Sequence, residues 1–210
     1  MAFNNCDEKT NGELLFWNTN NHSFKVVFDV GCRQDSLFSR FQGEVHYFDP
    51  VEQFISQLKV TTNNTKGFFN VFGLSDKNEE LDYFPGCQSF LNRTLSCKKD
   101  FSGNKLVLKV QKAVDYINEN NITQIDFLKI DTEGYELNVL KGFEDKLSIV
   151  KVIQFEYGGT YIDAKIKLID VINYLKGFGF GDFCYLTQQG PQIITDFNDH
   201  YQYSNIVCLK

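Results

Sequence analysis

Two acids and a lysine fall within five positions in residues 127–137, F-L-K-I-D-T-E-G-Y-E-L. An apolar run that ends on an acid and passes through a glycine into an amphipathic segment has the pattern of a buried parallel strand. Such a strand delivers charged groups to its carboxyl end, where open α/β sheets bind ligands. Lys129 and Asp131 are two apart and share one face of that strand with Phe127, while Leu128 and Ile130 take the other. The pair is either a buried structural ion pair or part of a cofactor and substrate site. Glu156 ends the next apolar run and would lie on the adjacent strand, ~5 Å away laterally. This acid cluster has two chemistries open to it. One carboxylate could be a general base whose pKa Lys129 tunes, or Asp131 and Glu156 together could ligate Mg²⁺ along with a diol.

A second group of residues suggests what binds beside them. Asp29, Gly31 and Cys32 follow the first apolar run, where glycine lets a backbone approach a ligand. Asp49 ends the second run, twenty residues after Asp29. An acid at that place suits a ribose diol, because a carboxylate can accept both hydroxyl protons. G-C-R-Q-D stands where a dinucleotide site would have G-x-G-x-x-G, so a second phosphate-binding glycine is missing. That argues against NAD and for an adenosine cofactor without a pyrophosphate, such as S-adenosylmethionine. Its methyl is already activated, which leaves the protein to align an acceptor oxygen and place its proton. His46, inside V-H-Y-F, reads as a satisfied core histidine. Cys32 reads as a small wall residue, and Glu133 and Glu136 as acids in the first turn of a helix. Gly158-Gly159 is either a plain turn or a substrate contact.

The elements that must position these residues alternate between strand and helix. Short apolar runs at 26–28, 45–48, 68–74, 125–130 and 149–155 read as parallel strands. The helical segments are near 54–58, 114–120, 135–143 and 162–175, the last ended by Gly177 and Gly179. Runs at 180–186 and 206–209 leave no room for a helix between them, so the last strand is antiparallel. The fold class is therefore α/β, a Rossmann-like seven-stranded sheet in the order 3-2-1-4-5-7-6, with helices on both faces and the last strand inserted between the fifth and sixth. Residues 1–210 read as one domain. Residues 1–24 form a polar, loosely packed lead-in with a short helix near 13–17. Residues 78–104 are a loop excursion over the site, continued by a strand-like stretch to 111.

Composition narrows the partners. The 210 residues carry a net charge of −6 with dispersed Lys and Arg, which gives no footprint for duplex nucleic acid or an anionic membrane. No run approaches the ~20 apolar residues of a membrane span, and the polar start is no signal peptide. The six cysteines are widely spaced without a C-x-x-C pair. They read as free thiols in a reducing, cytoplasmic setting. Oligomeric state is not legible.

The motifs resemble the FkbM family of S-adenosylmethionine-dependent methyltransferases over roughly residues 26–209. The family's K-I-D-x-E-G-x-E appears as Lys129-Ile130-Asp131-Thr132-Glu133-Gly134-Tyr135-Glu136, and its V-L-K-G as Val139-Leu140-Lys141-Gly142. Its D-V-G-A-N-x-G becomes Asp29-Val30-Gly31-Cys32-Arg33-Gln34-Asp35, and its E-P becomes Asp49-Pro50. L-S-D is matched by Leu74-Ser75-Asp76, L-D by Val114-Asp115, and I-x-E loosely by Ile153, Phe155 and Glu156. The resemblance implies O-methyl transfer, most often to a sugar hydroxyl of a glycan or glycosylated metabolite. It implies Asp29, Gly31 and Cys32 beside the methionine end of the cofactor and Asp49 on the ribose. Ser75 and Asp76 would border the adenine, and Asp131 the sulfonium and the incoming hydroxyl. Two other classes stay open: a nucleic-acid ribose 2′-O-methyltransferase, and a non-catalytic adenosyl-binding module suggested by Arg33 and Asp35 in the first loop.

Overall fold

The computed structural model describes residues 5–210. Its frame is a sheet in which apolar side chains alternate between two cores. The strands are β1 (Val26–Val30), β2 (Glu44–Phe48), β3 (Gly67–Asn70), β4 (Gly73–Ser75), β5 (Glu79–Tyr83), β6 (Leu106–Lys112), β7 (Ile125–Ile130), β8 (Val150–Tyr157), β9 (Asp182–Tyr185), β10 (Gln192–Ile193) and β11 (Ser204–Leu209). The helices are α1 (Glu13–Asn20), α2 (Glu52–Thr61), α3 (Ala113–Glu119), α4 (Glu136–Gly142), α5 (Thr160–Ala164) and α6 (Leu168–Lys176). The large sheet runs β10-β9-β11-β8-β7-β1-β2-β3. From β8 to β3 all neighbours are parallel, and β11 is antiparallel to both β8 and β9. The expected order 3-2-1-4-5-7-6 is present. One further two-residue strand, β10, is added at the edge because the turn at Thr187–Gly190 folds the chain back onto β9.

The faces divide as the period-2 pattern requires. Phe28, Leu128, Ile130, Ile153 and Phe155 pack beneath α3, α4 and α6, while Val27, Val45, Tyr47, Phe127 and Val207 pack beneath α1 and α2. At the carboxyl end this second face carries Lys129 and Asp131, so the side that α1 covers is also the side of the charges. Of the lead-in expected over residues 1–24, residues 1–4 lie outside the described residues, and α1 is not loosely packed as the polar composition suggested. Trp17 lies edge-on to Phe38 at 4.6 Å and to Phe41 at 5.1 Å, and touches Phe127 at 5.8 Å.

Three other expectations are corrected. The strand expected over 68–74 is two, because the chain bends at Val71-Phe72 after pairing with β2. Its second half, β4, enters a separate three-stranded sheet, β4-β6-β5. The stretch 78–104 is not all loop, since β5 pairs antiparallel with β6; in its E-E-L-D-Y only Leu81 and Tyr83 are apolar, an alternation too short to reveal it. The long helix expected over 162–175 is broken into α5 and α6 at Lys165, which takes a left-handed φ of 55°.

Helix α4 lies against β4 because its last residue is Gly142: a Cβ there would sit 1.9 Å from the Ser75 carbonyl oxygen. Gly142→Ala should therefore cost roughly 2 kcal/mol or more by forcing helix and strand apart. Gly103→Ala has open space, and should be neutral or slightly stabilising. Denaturant unfolding of the two variants checks this, and equal stabilities would refute the packing argument.

Candidate active site

The ends of β7, β1 and α1 bring four charges together. The Lys129 Nζ donates to Asp131 Oδ2 at 2.9 Å and lies 3.9 Å from Glu13 Oε2 on α1. Asp29 is the β1 residue in register with Lys129. Burial opposes the charge on Lys129, but Asp131, Glu13 and Asp29 outweigh it, and its pKa is raised well above the ordinary value. Burial also opposes the charge on Asp131. The Lys129 ammonium and a hydrogen bond from Glu156 overcome it and bring the Asp131 carboxyl down to about 2. Glu156 moves the other way, since burial and the Asp131 charge raise it well above the usual carboxylate range. The pair is thus pushed apart, Asp131 toward its ionised form and Glu156 toward its protonated one. Glu13 is fixed on all sides: Oε1 accepts from Asn11 Nδ2 at 2.7 Å and Asn205 Nδ2 at 2.9 Å, and Oε2 from Gln154 Nε2 at 2.6 Å.

The flanking loops are shaped by backbone bonds. Gly31 has φ +80°, and a Cβ on it would lie 1.9 Å from the Asp131 carbonyl oxygen, so only glycine lets these strand ends pass. Asp49 accepts the Arg33 N–H on Oδ2 at 3.1 Å and the Val51 N–H on Oδ1 at 2.9 Å. Burial nevertheless raises it to about 6. Burial raises Asp29 to about 6 as well, against the Lys129 charge and a hydrogen bond from the Ser36 hydroxyl. Glu136 turns back into the loop before α4. Its Oε1 accepts from the N–H groups of Thr132 at 3.0 Å and Gly134 at 3.1 Å and from the Thr132 hydroxyl at 3.0 Å. That acid is thus a loop clamp. Glu133 pairs with Arg93 at 2.6 Å.

Two cavities open at this end of the sheet and meet at Gly31, Arg33 and Asp131. The first lies under residues 83–90, with Phe48, Asp49, Leu74, Tyr83, Phe90 and Tyr135 in its wall. The second lies under residues 6–13, with Glu13, Asp29, Cys32, Asp35, Lys129 and Tyr203 in its wall. Of the expected site residues, Asp29, Gly31, Cys32, Asp49, Lys129 and Asp131 are brought together here. Ser75 and Asp76 are not in either wall. Ser75 is buried behind Tyr135, whose hydroxyl is 3.2 Å from its own, and Asp76 accepts from Asn138 Nδ2 at 3.4 Å. Glu156 reaches the site only through Asp131. His46 is a core residue, as expected: Nδ1 is 2.7 Å from the Tyr116 hydroxyl, Nε2 is 2.8 Å from Glu44, and the ring stacks on Phe68.

The donor set does not suit Mg²⁺, so the metal role considered for Asp131 and Glu156 is not carried forward. The Lys129 ammonium already lies against Asp131, at 2.9 Å. Among the described residues no group of three or more His, Cys, Asp or Glu side chains could hold a metal ion. The sequence reading missed Glu13, Tyr83, Phe90, Arg93, Tyr135 and Tyr203. Only Glu13 left a signal, as an acid opening the apolar run E-L-L-F-W.

The strand order and the antiparallel final strand are those of the class I, Rossmann-like methyltransferase fold. Residues 33–181 match the methyltransferase FkbM domain, and the chain belongs to that family of S-adenosylmethionine-dependent methyltransferases. Among solved structures it is similar to magnesium protoporphyrin IX methyltransferase from Synechocystis PCC 6803 with bound SAM. That likeness has 10% identity and a TM-score of 0.48, covering 97% of this chain and 78% of that one. It is also similar to an SAM-dependent methyltransferase from Archaeoglobus fulgidus, with 14% identity, 97% of each chain and a TM-score of 0.47. An rRNA methylase from Streptococcus thermophilus has 11% identity, 89% of this chain, 87% of that one and a TM-score of 0.46. No curated protein matches. No helix among the described residues is long and apolar enough to cross a membrane.

The raised pKa of Asp29 has a direction that can be tested. The folded chain keeps a proton on this group that the unfolded chain releases at lower pH, so ionising it costs stability as pH rises from about 4 to about 6. Asp29→Asn removes that cost. Its stability relative to the native chain should rise across pH 4 to 7, measured by urea unfolding at each pH. A flat difference would show that Asp29 titrates like a solvated carboxyl.

Proposed function

We propose that this methyltransferase acts on oxygen, transferring the methyl of S-adenosylmethionine to a sugar hydroxyl of a glycan or glycosylated metabolite. The observation that carries the reading is the Asp131 carboxyl, 2.9 Å from the Lys129 ammonium, where the two cavities meet. The residues present fit the cofactor. The first cavity offers Asp49 for the ribose, whose oxygens each keep a lone pair beyond the one N–H they accept. Phe48, Leu74, Phe90 and Tyr135 offer an apolar slot for the adenine. In this placement Ser75 and Asp76 act from behind, by fixing Tyr135 and the start of α4, rather than by touching the base. Asp29, Gly31 and Cys32 would hold the cofactor's methionine end. The second cavity's wall holds six acidic side chains against three basic ones, a suitable field for a cationic group.

When bound, S-adenosylmethionine supplies an activated methyl group. Everything else falls to the chain. Asp131 accepts the hydrogen bond of the incoming hydroxyl and aims its oxygen. A carboxylate with so low a pKa removes little proton from an alcohol at rest. It becomes an adequate acceptor as the new O–C bond forms and the oxygen turns acidic. Lys129 keeps Asp131 ionised and is itself no base, since its ammonium is held charged. Glu156, whose pKa burial and the Asp131 charge raise, orients Asp131. An RNA acceptor fits less well, because phosphates would meet the acidic wall and the net charge of −6. A purely adenosyl-binding module would not need the ionised Asp131, and Arg33 and Asp35 both remain at the cavity rather than swinging away. Residues 1–210 are taken to act as one domain, and the six free thiols suit a reducing compartment such as the cytoplasm.

Two outcomes test these roles. Asp49→Ala should lose ~2 kcal/mol of S-adenosylhomocysteine affinity by calorimetry, about thirtyfold, and unaltered affinity would remove Asp49 from the ribose. In assays of methyl transfer from labelled S-adenosylmethionine to a saccharide panel, Asp131→Asn should lower turnover by at least ~10². Glu156→Gln should lose less than about tenfold, because the amide retains a hydrogen-bond donor, and EDTA should have no effect. Equal losses in both variants together with EDTA inhibition would restore a shared metal. No labelled saccharide at all would overturn the sugar reading.

A further inference from the structure

A third cavity adjoins the second. The turn after β9, the start of β11 and residues 5–11 enclose it, and Tyr203 stands in the walls of both cavities. The two walls differ in chemistry. The second cavity's wall is crowded with charge. The third has none: its lining comprises six side-chain amides, three hydroxyls, Leu186 and Tyr203. The amides come from three separate parts of the chain, with Asn5 and Asn11 before α1, Gln188, Gln189 and Gln192 around the β9–β10 turn, and Asn205 on β11.

The arrangement is partly fixed and partly free. Asn11 and Asn205 are buried and both donate to Glu13 Oε1, and Asn205 also donates to the Tyr203 hydroxyl at 3.2 Å. The back of the third cavity is therefore tied through Glu13 to Lys129. The turn is closed by the Gly190 N–H donating to the Thr187 carbonyl at 2.9 Å and the Thr187 hydroxyl donating to the Gly190 carbonyl at 2.7 Å. At the mouth, the side-chain amides of Gln188 and Gln192 have no hydrogen bond to any described residue and face solvent.

An amide both donates and accepts, so a set of them matches a ligand that does the same at many points. A carboxylate or phosphate ligand would be expected to meet a countercharge, and an apolar ligand a greasier wall. A neutral, polyhydroxylated ring satisfies amides and hydroxyls around its rim, while its C–H face can lie against an aromatic side chain.

We propose that the cavity between residues 5–11, the β9–β10 turn and β11 is a binding subsite for an uncharged sugar unit. The unit occupying it neighbours the one whose hydroxyl is presented to Asp131. Tyr203 stands between the two units, and Gln188 and Gln192 supply the exposed hydrogen bonds. The subsite rests on the reading that the acceptor is a saccharide. It adds that the acceptor is at least two units long and that the unit next to the methylated one bears no charge.

The full chain, saturated with S-adenosylhomocysteine, is applied to an array of neutral and uronate-containing oligosaccharides, and in a separate assay without S-adenosylhomocysteine methyl transfer from labelled S-adenosylmethionine to the retained sugars and their monosaccharides is measured. The native chain should retain neutral oligosaccharides. Gln188→Ala/Gln192→Ala, both on an exposed turn, should weaken that retention about tenfold. The double variant should also raise KM for the oligosaccharide about tenfold more than KM for the monosaccharide, with kcat moved by less than twofold. Array binding and a KM ratio identical to the native chain's would overturn the subsite while leaving saccharide methylation standing, as would a preference for uronates. A native chain that methylates no saccharide would overturn the sugar reading, and the subsite with it.

Discussion

A lysine ammonium placed inside a sheet must be surrounded by carboxylates or lose its proton, and much of this molecule answers to that requirement at Lys129. Removing such a cation from water costs several kcal/mol, which neighbouring charges and hydrogen bonds must offset. Here Asp131 follows two residues later on the same strand, Asp29 stands in register on β1, and Glu13 descends from α1. The result divides three carboxyls by environment. Asp131, against the ammonium, is brought down to about 2, Glu156 beside it is raised well above the usual carboxylate range, and Asp29 lies between at about 6. Groups in one polar cluster whose pKa values are pushed apart are the usual basis of distinct roles in a reaction.

The same requirement explains why the N-terminal segment belongs to the site. Helix α1 is attached by Phe16 and Trp17, which pack on Phe127 and Phe38, and this attachment sets Glu13 over Lys129. Asn11, Gln154 and Asn205 then consume the remaining hydrogen-bonding capacity of Glu13, so the carboxylate is held without a second cation. On the opposite side the loop after β7 is held by Glu136 and by the Arg93–Glu133 pair, which tethers the 84–101 stretch across the first cavity. The two cavities thus meet under two covers, one from each end of the chain's fold, with Asp131 at their junction.

Much of this was legible in the sequence where burial imposed a pattern. The alternation through residues 127–131 placed Phe127, Lys129 and Asp131 on one face, and the apolar runs gave the strand order, including the inserted antiparallel strand. His46 was legible for the same reason, as a polar group inside an apolar strand that satisfies both ring nitrogens internally. What escaped was fixed by long-range partners. Strand β5 buries little more than Tyr83, with Leu81 half-buried, so its period of two is too short to stand out. The break between β3 and β4 is a change of sheet, which no local preference encodes. Ser75 and Asp76 are adjacent to the right strand, yet Tyr135 and Leu74 take the wall in front of them. The pairing of Asp131 with Lys129 rather than with a cation depends on a rotamer and on Glu13, 116 positions before Lys129 in the numbering.

The account depends most on the charge state of Asp131, and that can be read directly. With ¹³C-carboxyl-labelled aspartate and S-adenosylhomocysteine bound, the Asp131 resonance, assigned through Asp131→Asn, should keep the shift of an ionised carboxylate from pH 7 down to about 3. In Lys129→Met it should titrate at a clearly higher pH, because the ammonium no longer opposes burial. An Asp131 carboxyl that titrates between pH 5 and 7 in the native chain, or that is indifferent to Lys129→Met, would contradict the account.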